Sequence, residues 1–198
     1  MSKKAIVLMA DGFEEVEAVT PIDYLRRAGI DVTVVSISGA GEQKNLAVTG
    51  RWTGIKLICD ISLSDLIKQG YDDFDAVICP GGMPGAANLA SSKEVSALLK
   101  NMASAGKVIC AICASPAIVL APLGIIAGKK FTCYPGMEEK AVSNAEAAGA
   151  VWVCDRVVTD GNVITSRAAG TAGEWAAAII KKLLGEEAGS KISETVLL

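Results

Sequence analysis

The chain has 198 residues, enough for one substantial core, and its 51% apolar and 21% charged residues make an ordinary water-soluble globular composition. Its 19 Lys and Arg stand against 22 Asp and Glu, with no basic cluster beyond pairs such as Lys129-Lys130 and Lys181-Lys182, so nothing draws it to nucleic acid or an anionic membrane. It contains no histidine, which excludes a Cys-His dyad, a Ser-His-Asp triad within the chain and any histidine-ligated metal.

The apolar run at the N-terminus is only about six residues long, shorter than the core of a signal peptide. It is read as a first strand, Lys4 to Met9, left by a turn at Asp11-Gly12. From Glu14 to Ala28 the spacing is helical, with Val16, Val19, Ile22 and Leu25 at successive steps of three. Acidic residues open this stretch, Arg26 and Arg27 close it and Gly29 lies just beyond, as the helix dipole and C-cap rules favour. Pro21 either kinks one helix or opens a second one capped by Thr20, with Asp23 closing a box. Ile30 to Ile37 is a second strand. Ser38 to Gly54 is rich in Gly and polar residues and has room for a β-ribbon excursion before Lys56 to Cys59.

Ser62 begins a short helix, Leu63 to Gln69, and Asp75 to Cys79 is a buried strand ending in Pro80-Gly81-Gly82. Ser92 to Ala105 is an amphipathic helix. Val108 to Ile112 is a further buried strand, and Cys113 follows at once before Ala114-Ser115-Pro116 turns the pattern toward a helix. A nucleophile on such a strand-to-helix elbow projects from the carboxyl edge of a sheet over a helix N-terminus. The dipole and free N–H groups there are expected to favour a thiolate at Cys113. The uncharged stretch from Val108 to Gly128 is long enough to cross a bilayer, but its two prolines and the strand-to-helix switch make it a buried strand and helix instead. Glu138 to Ala148 reads as a helix, Val151 to Cys154 and Val157 to Val158 as strands, Asn162 to Ser166 as a strand entering a glycine loop, and Thr171 to Leu184 as a long helix. The last dozen residues are left unassigned.

Strands alternating with helices throughout imply an α/β domain spanning residues 1–198, with a mainly parallel sheet covered on both faces. Ligands of such sheets lie outside the carboxyl ends of the strands, so the loops carrying Glu14, Glu15 and Glu17, then Gly81 and Gly82, then Cys113, should converge. Six cysteines without framework spacing suggest free thiols in a reducing compartment, hence the cytoplasm. Cys110 and Cys113 form a C-x-x-C, but Cys110 lies inside a strand and alternation points it away from the elbow. Cys59, Cys79 and Cys154 read as small core residues. No metal or other cofactor is expected, and neither Asp11-Gly12-Phe13-Glu14 nor Pro80 to Gly85 matches a phosphate-loop or dinucleotide fingerprint.

Four motifs, Ala10-Asp-Gly-Phe-Glu-Glu-Val-Glu, Cys79-Pro-Gly-Gly, Ala111-Ile-Cys-Ala-Ser-Pro and Thr165-Ser-Arg-Ala-Ala-Gly-Thr, occur in this order. Together they resemble the DJ-1/PfpI superfamily, in particular its DJ-1/ThiJ/YajL branch, over residues 4–185. The resemblance implies a flavodoxin-like fold, a homodimer, a reactive and readily oxidised Cys113, an assisting Glu17 and backbone donors at Gly81 and Gly82. It also brings Cys133, Tyr134 and Arg167 toward the site as neighbours, with a resolving role open to Cys133. Activities it implies are glyoxalase or deglycase chemistry on reactive carbonyls, redox-dependent chaperoning and, in another branch, proteolysis.

A carboxylate beside a thiolate is a like-charge pair, so one of Glu17 and Cys113 should keep a proton. A protonated Glu17 donates a hydrogen bond to the cysteine sulfur or to a sulfinate oxygen. Glu14 and Glu15, by contrast, read as ordinary residues of a helix start. Where several members of the family carry histidine, this chain has Thr132-Cys133-Tyr134-Pro135. A phenol, with a model-compound pKa of about 10, is a poor general base at neutral pH, which disfavours protease and amidotransferase chemistry. Ala168-Ala169 replaces the family's common Gly-Pro, at a loop that carries dimer contacts. The expected protein therefore reacts through Cys113 with a small oxidant or with an aldehyde such as methylglyoxal, Gly81, Gly82 or Ala114 N–H groups holding the oxyanion. The alternative is a non-enzymatic redox sensor or chaperone switched by oxidation of Cys113 to the sulfinate.

Overall fold

The computed structural model describes residues 2–37, 46–52 and 54–198. The chain opens with β1 (Lys4–Met9), α1 (Glu15–Arg27) and β2 (Asp31–Ser36), then β3 (Ala47–Thr49), β4 (Lys56–Ile58), β5 (Ile61–Ser62) and α2 (Leu63–Gln69). Next come β6 (Ala76–Cys79), α3 (Gly85–Ser91), α4 (Lys93–Ser104) and β7 (Val108–Ile112). A π-helical turn (Pro116–Leu120) and a 3-10 turn (Ala121–Leu123) lead to β8 (Lys130–Phe131), α5 (Glu138–Val142) and β9 (Val151–Trp152). The chain closes with β10 (Val157–Asp160), β11 (Val163–Ser166), α6 (Ala172–Leu184) and α7 (Glu186–Val196).

Seven strands form the central sheet in the order β10-β11-β7-β6-β1-β2-β5. All neighbours run parallel except β10, which pairs antiparallel with β11 at one edge. The side-chain period of two splits the core between the two faces. On β1, Ile6 and Leu8 pack with Leu98, Leu99 and Met102 of α4, while Ala5, Val7 and Met9 pack with Leu25 of α1 and Trp175 and Ile179 of α6. Both faces are therefore dry, and the sheet interior is apolar in every position of β6 and β7. The registers Cys79↔Ala111 and Ile112↔Ser166 bring the carboxyl ends of β6, β7 and β11 level with one another. That edge carries the site.

Several expectations are corrected. Pro21 lies inside a single helix α1 and opens no second one. The stretch after Pro116 forms only one π turn and a 3-10 turn. Pro122 follows Pro116 too closely for a long helix, and Gly124 at φ +73° ends the segment. Glu138 to Ala148 breaks into α5 and a 3-10 turn at Ala145–Ala147. Val151 to Cys154 contributes only β9, which pairs with β8 outside the main sheet. Helices α3 and α7 go beyond the sequence reading. The first follows directly on a glycine-proline turn, and the second is largely polar. The expected β-ribbon falls partly on residues 38–45 and 53, outside the described residues. Where it is described, β3 pairs antiparallel with β4. No helix of the described residues is long and apolar enough to cross a membrane.

Candidate functional site

Cys113 takes the residue position directly after β7. Its N–H donates to Ser166 C=O (3.0 Å), and its C=O accepts from Tyr134 N–H (2.8 Å). Between these two bonds the backbone is held at φ +64°, a left-handed conformation that costs a non-glycine residue about 1 kcal/mol or more. The strain turns the side chain out of the sheet edge. Buried Ser115 locks the turn from below by donating Oγ–H to Pro80 C=O at 2.6 Å.

Glu17 reaches this edge from the first turn of α1, where its N–H is capped by the Glu14 carboxylate (2.7 Å). Glu17 is 1% exposed, and its carboxyl hydrogen-bonds to Cys113, to Gly81 N–H (3.0 Å) and to the Ala169 backbone. Burial, with the Glu14 charge nearby, raises the Glu17 pKa to about 7. Burial also pushes the Cys113 thiol up to about 12, helped by the Glu17 charge, while N–H groups of Gly82 and Ala114 on the sulfur oppose the rise. Burial and the neighbouring carboxylate thus work against the thiolate that the helix end and its N–H donors favour. A single π turn supplies little dipole, and burial beside a carboxylate outweighs two N–H donors. Between these two values the pair holds one proton and carries one negative charge.

The backbone donors divide their work. Gly82 and Ala114 N–H point at the sulfur, as expected for donors to a developing charge. Gly81 differs from expectation: its N–H is committed to the Glu17 carboxyl, so it positions the acid instead of holding an oxyanion. Only glycine fits there, because an added Cβ would sit 2.5 Å from Glu17 Oε2 and 2.6 Å from Cys113 Cβ.

Cys113 opens into a cavity of about 570 Å³ whose rim includes Glu14, Arg51, Trp52, Met83, Tyr134 and Ala168. Of the three expected neighbours, only Tyr134 lines it. Cys133 is fully buried behind the strand end, and Arg167 turns its guanidinium onto exposed Cys154. Cys154 is therefore no core residue, unlike Cys59, Cys79 and Cys110, which are buried. Arg51 and Trp52 were not legible from the sequence, since only the fold of the ribbon brings them to the site. The guanidinium of Arg51 stacks 4.3 Å over the Trp52 ring. Buried Glu15 anchors them by accepting Trp52 N–H at 3.1 Å, a use beyond the plain helix-start role expected of it. Among the described residues no group of three or more cysteines and carboxylates is placed to hold a metal ion.

The sequence model of the DJ-1/PfpI family matches residues 3–182. The chain is 40% identical to the Drosophila melanogaster protein dj-1beta over 199 residues, covering all of this chain and 98% of that protein. It is 39% identical to the Arabidopsis thaliana protein DJ-1 homolog B over 98% of this chain, but spans only 41% of that longer protein. A deglycase of Pyrococcus abyssi is 32% identical over 180 residues, 91% of this chain and 99% of the other. Among solved structures, Drosophila DJ-1beta superposes with a TM-score of 0.87 at 39% identity, covering 100% of this chain and 99% of that one. An oxidized DJ-1 of Toxoplasma gondii superposes with the same score at 33% identity, covering 99% and 98%.

Proposed function

The chain belongs to the DJ-1/PfpI family, and from that premise we propose that it is a cysteine-dependent protein of carbonyl and oxidative stress, converting reactive aldehydes such as methylglyoxal through Cys113 and Glu17. The observation that carries this reading is the buried Glu17 carboxyl, near-neutral in pKa and hydrogen-bonded to a cysteine at the mouth of a cavity. The Cys113 thiol gives its proton to Glu17 as sulfur adds to the aldehyde carbon, and Glu17 returns that proton to the new alkoxide. The carboxylate then removes the hydrogen from the former aldehyde carbon as the electron pair moves onto the neighbouring carbonyl, whose oxygen takes that proton back from Glu17 to give an enediol. Protonation at the adjacent carbon, with the hydroxyl beside sulfur losing its proton to the carboxylate, gives a lactoyl thioester, which water cleaves to lactate and free thiol. Atoms balance as methylglyoxal plus water to lactate, with no external oxidant or reductant. Gly82 and Ala114 N–H groups stabilise the negative charge that moves between sulfur and oxygen. The deglycase among the relatives supports extending the substrate class to early adducts of such aldehydes with amines.

A second reading rests on the same donors. Two N–H groups and an acidic proton from Glu17 suit a sulfinate on Cys113, and one similar solved structure is of an oxidized DJ-1. In that case Cys113 serves as a redox sensor or switches a chaperone. The six thiols, all unpaired, suit a reducing cytoplasm, and we take the working unit to be a homodimer. The deciding experiment is lactate formation from methylglyoxal by the wild type and by Cys113→Ser, beside mass mapping after mild peroxide. Steady turnover lost in Cys113→Ser supports the enzyme. Negligible wild-type turnover with two oxygens gained at Cys113 supports the sensor.

A further inference from the structure

Residues 49–52 run as an arm along the loop that leads into α1. Gly12 N–H donates to Thr49 C=O (2.8 Å), Arg51 N–H donates to Phe13 C=O (2.9 Å), and Gly50 pairs with Phe13 in an isolated parallel bridge. Gly50 lies so close to Glu15 that a Cβ there would collide with the carboxyl, and the same carboxyl accepts Trp52 N–H at 3.1 Å. The backbone is therefore pinned on both sides of Arg51, at the rim of the cavity into which Cys113 opens.

The Arg51 side chain is solvent-exposed, yet its guanidinium is held 4.3 Å over the Trp52 ring. Stacking occupies the face of the planar group and leaves its N–H edge open, the edge that takes a carboxylate through two parallel hydrogen bonds. Among the described residues Arg51 has no ion-paired carboxylate. Glu14 shares the rim, but its carboxylate is turned onto Glu17 N–H at 2.7 Å. One guanidinium beside that carboxylate balances a monoanion better than a phosphate dianion. The cavity, of about 570 Å³, falls within the roughly 300–1,000 Å³ that encloses ligands much larger than methylglyoxal. Trp52, Met83, Tyr134 and Met137 give it an apolar wall for a hydrocarbon chain between the two polar ends.

We propose that Arg51 is the specificity-determining residue of this cavity, and that it selects α-oxo aldehydes carrying a carboxylate a few bonds from the reacting carbonyls. The inference rests on the aldehyde reading above and names its substrate class. The carboxylate sits on the guanidinium edge, the chain lies along the apolar wall, and the aldehyde meets Cys113. Tethering and stacking have already removed much of the motion that a free arginine loses on binding, so the pair is worth more than an ordinary surface ion pair. With γ,δ-dioxovalerate the bonds made and broken are those given for methylglyoxal, and the aldehyde plus water becomes α-hydroxyglutarate. The substrate carboxylate stays on Arg51 and takes no part in bond making.

The test compares γ,δ-dioxovalerate with its uncharged methyl ester as substrates, and the unreactive ketone levulinate with methyl levulinate as ligands in calorimetry. Wild type should prefer the acid over the ester by about tenfold or more, in kcat/KM for the aldehydes and in affinity for the ketones. In Arg51→Met both preferences should vanish, the aldehyde one through KM and not kcat. Arg51→Lys should recover only part of them, because an ammonium lacks the planar fork. The inference is overturned if wild type treats acid and ester alike, or if Arg51→Met keeps the preference. A levulinate preference lost in Arg51→Met, with neither aldehyde turned over, would sink the aldehyde reading and leave Arg51 as the carboxylate site of the cavity.

Discussion

Replacing Glu17 with glutamine keeps the shape of the side chain and an acceptor for Gly81 N–H but removes the titrating proton. In the folded protein burial raises this carboxyl from 4.5 to about 7, so between those values the native state binds a proton that the unfolded chain has released. Stability must then fall as pH rises through that window. A proton held over this range corresponds to about 3 kcal/mol, since each pKa step is worth about 1.4 kcal/mol. That is a substantial part of the 5–15 kcal/mol typical of a folded domain, roughly speaking. Urea denaturation of wild type and Glu17→Gln at intervals from pH 4.5 to pH 8 reads the effect directly. Other groups titrate alike in both proteins, so the difference isolates Glu17. The variant should gain on the wild type by about 3 kcal/mol across the range and level off above neutrality. Parallel curves would refute the buried, protonated carboxyl. A wild type that gains on the variant with rising pH would reverse its sign.

Gly81→Ala puts a Cβ against both Glu17 and Cys113, and should cost about 1–3 kcal/mol in thermal or urea unfolding while lowering Cys113 reactivity at least about tenfold. Ser115→Ala strands the buried Pro80 carbonyl and should destabilise by about 1–3 kcal/mol, read by urea midpoint. Alkylation of Cys113 by iodoacetamide should rise in two steps with pH in the wild type, the first near 7. In Glu17→Gln it should show one step, below the wild-type thiol's value of about 12, because the carboxylate that raised it is gone.

The elbow was legible because a β-branched run, a cysteine and Ala-Ser-Pro mark a sharp strand-to-helix turn, whatever follows it. That Glu14, Glu15 and Glu17 come to this edge was legible because the first strand of a parallel sheet delivers the next helix there, whereas the choice of Glu17 among them came from the family resemblance. The roles of Gly81 and Gly82 were not legible. Which of two successive N–H groups faces the acid and which the sulfur depends on backbone angles, with Gly82 at φ +87°. Arg51 and Trp52 were hidden for another reason. They come to the site on a ribbon outside the main sheet, fixed by a Glu15–Trp52 hydrogen bond across 37 residues. Helix polarity at Cys113 is visible in sequence, whereas the opposing burial beside a carboxylate is a property of packing.

The most direct test of the central claim follows Glu17→Gln through methylglyoxal turnover, with intact-mass detection of any adduct on the protein. Because Glu17 takes the thiol proton during addition and then moves the proton between carbons, the variant should add the aldehyde to Cys113 more slowly. It should then stall, with lactate formation down about a hundredfold or more. Lactate formed by the variant at the wild-type rate, or an adduct on a different cysteine, would contradict the assignment of Cys113 and Glu17 as the working pair.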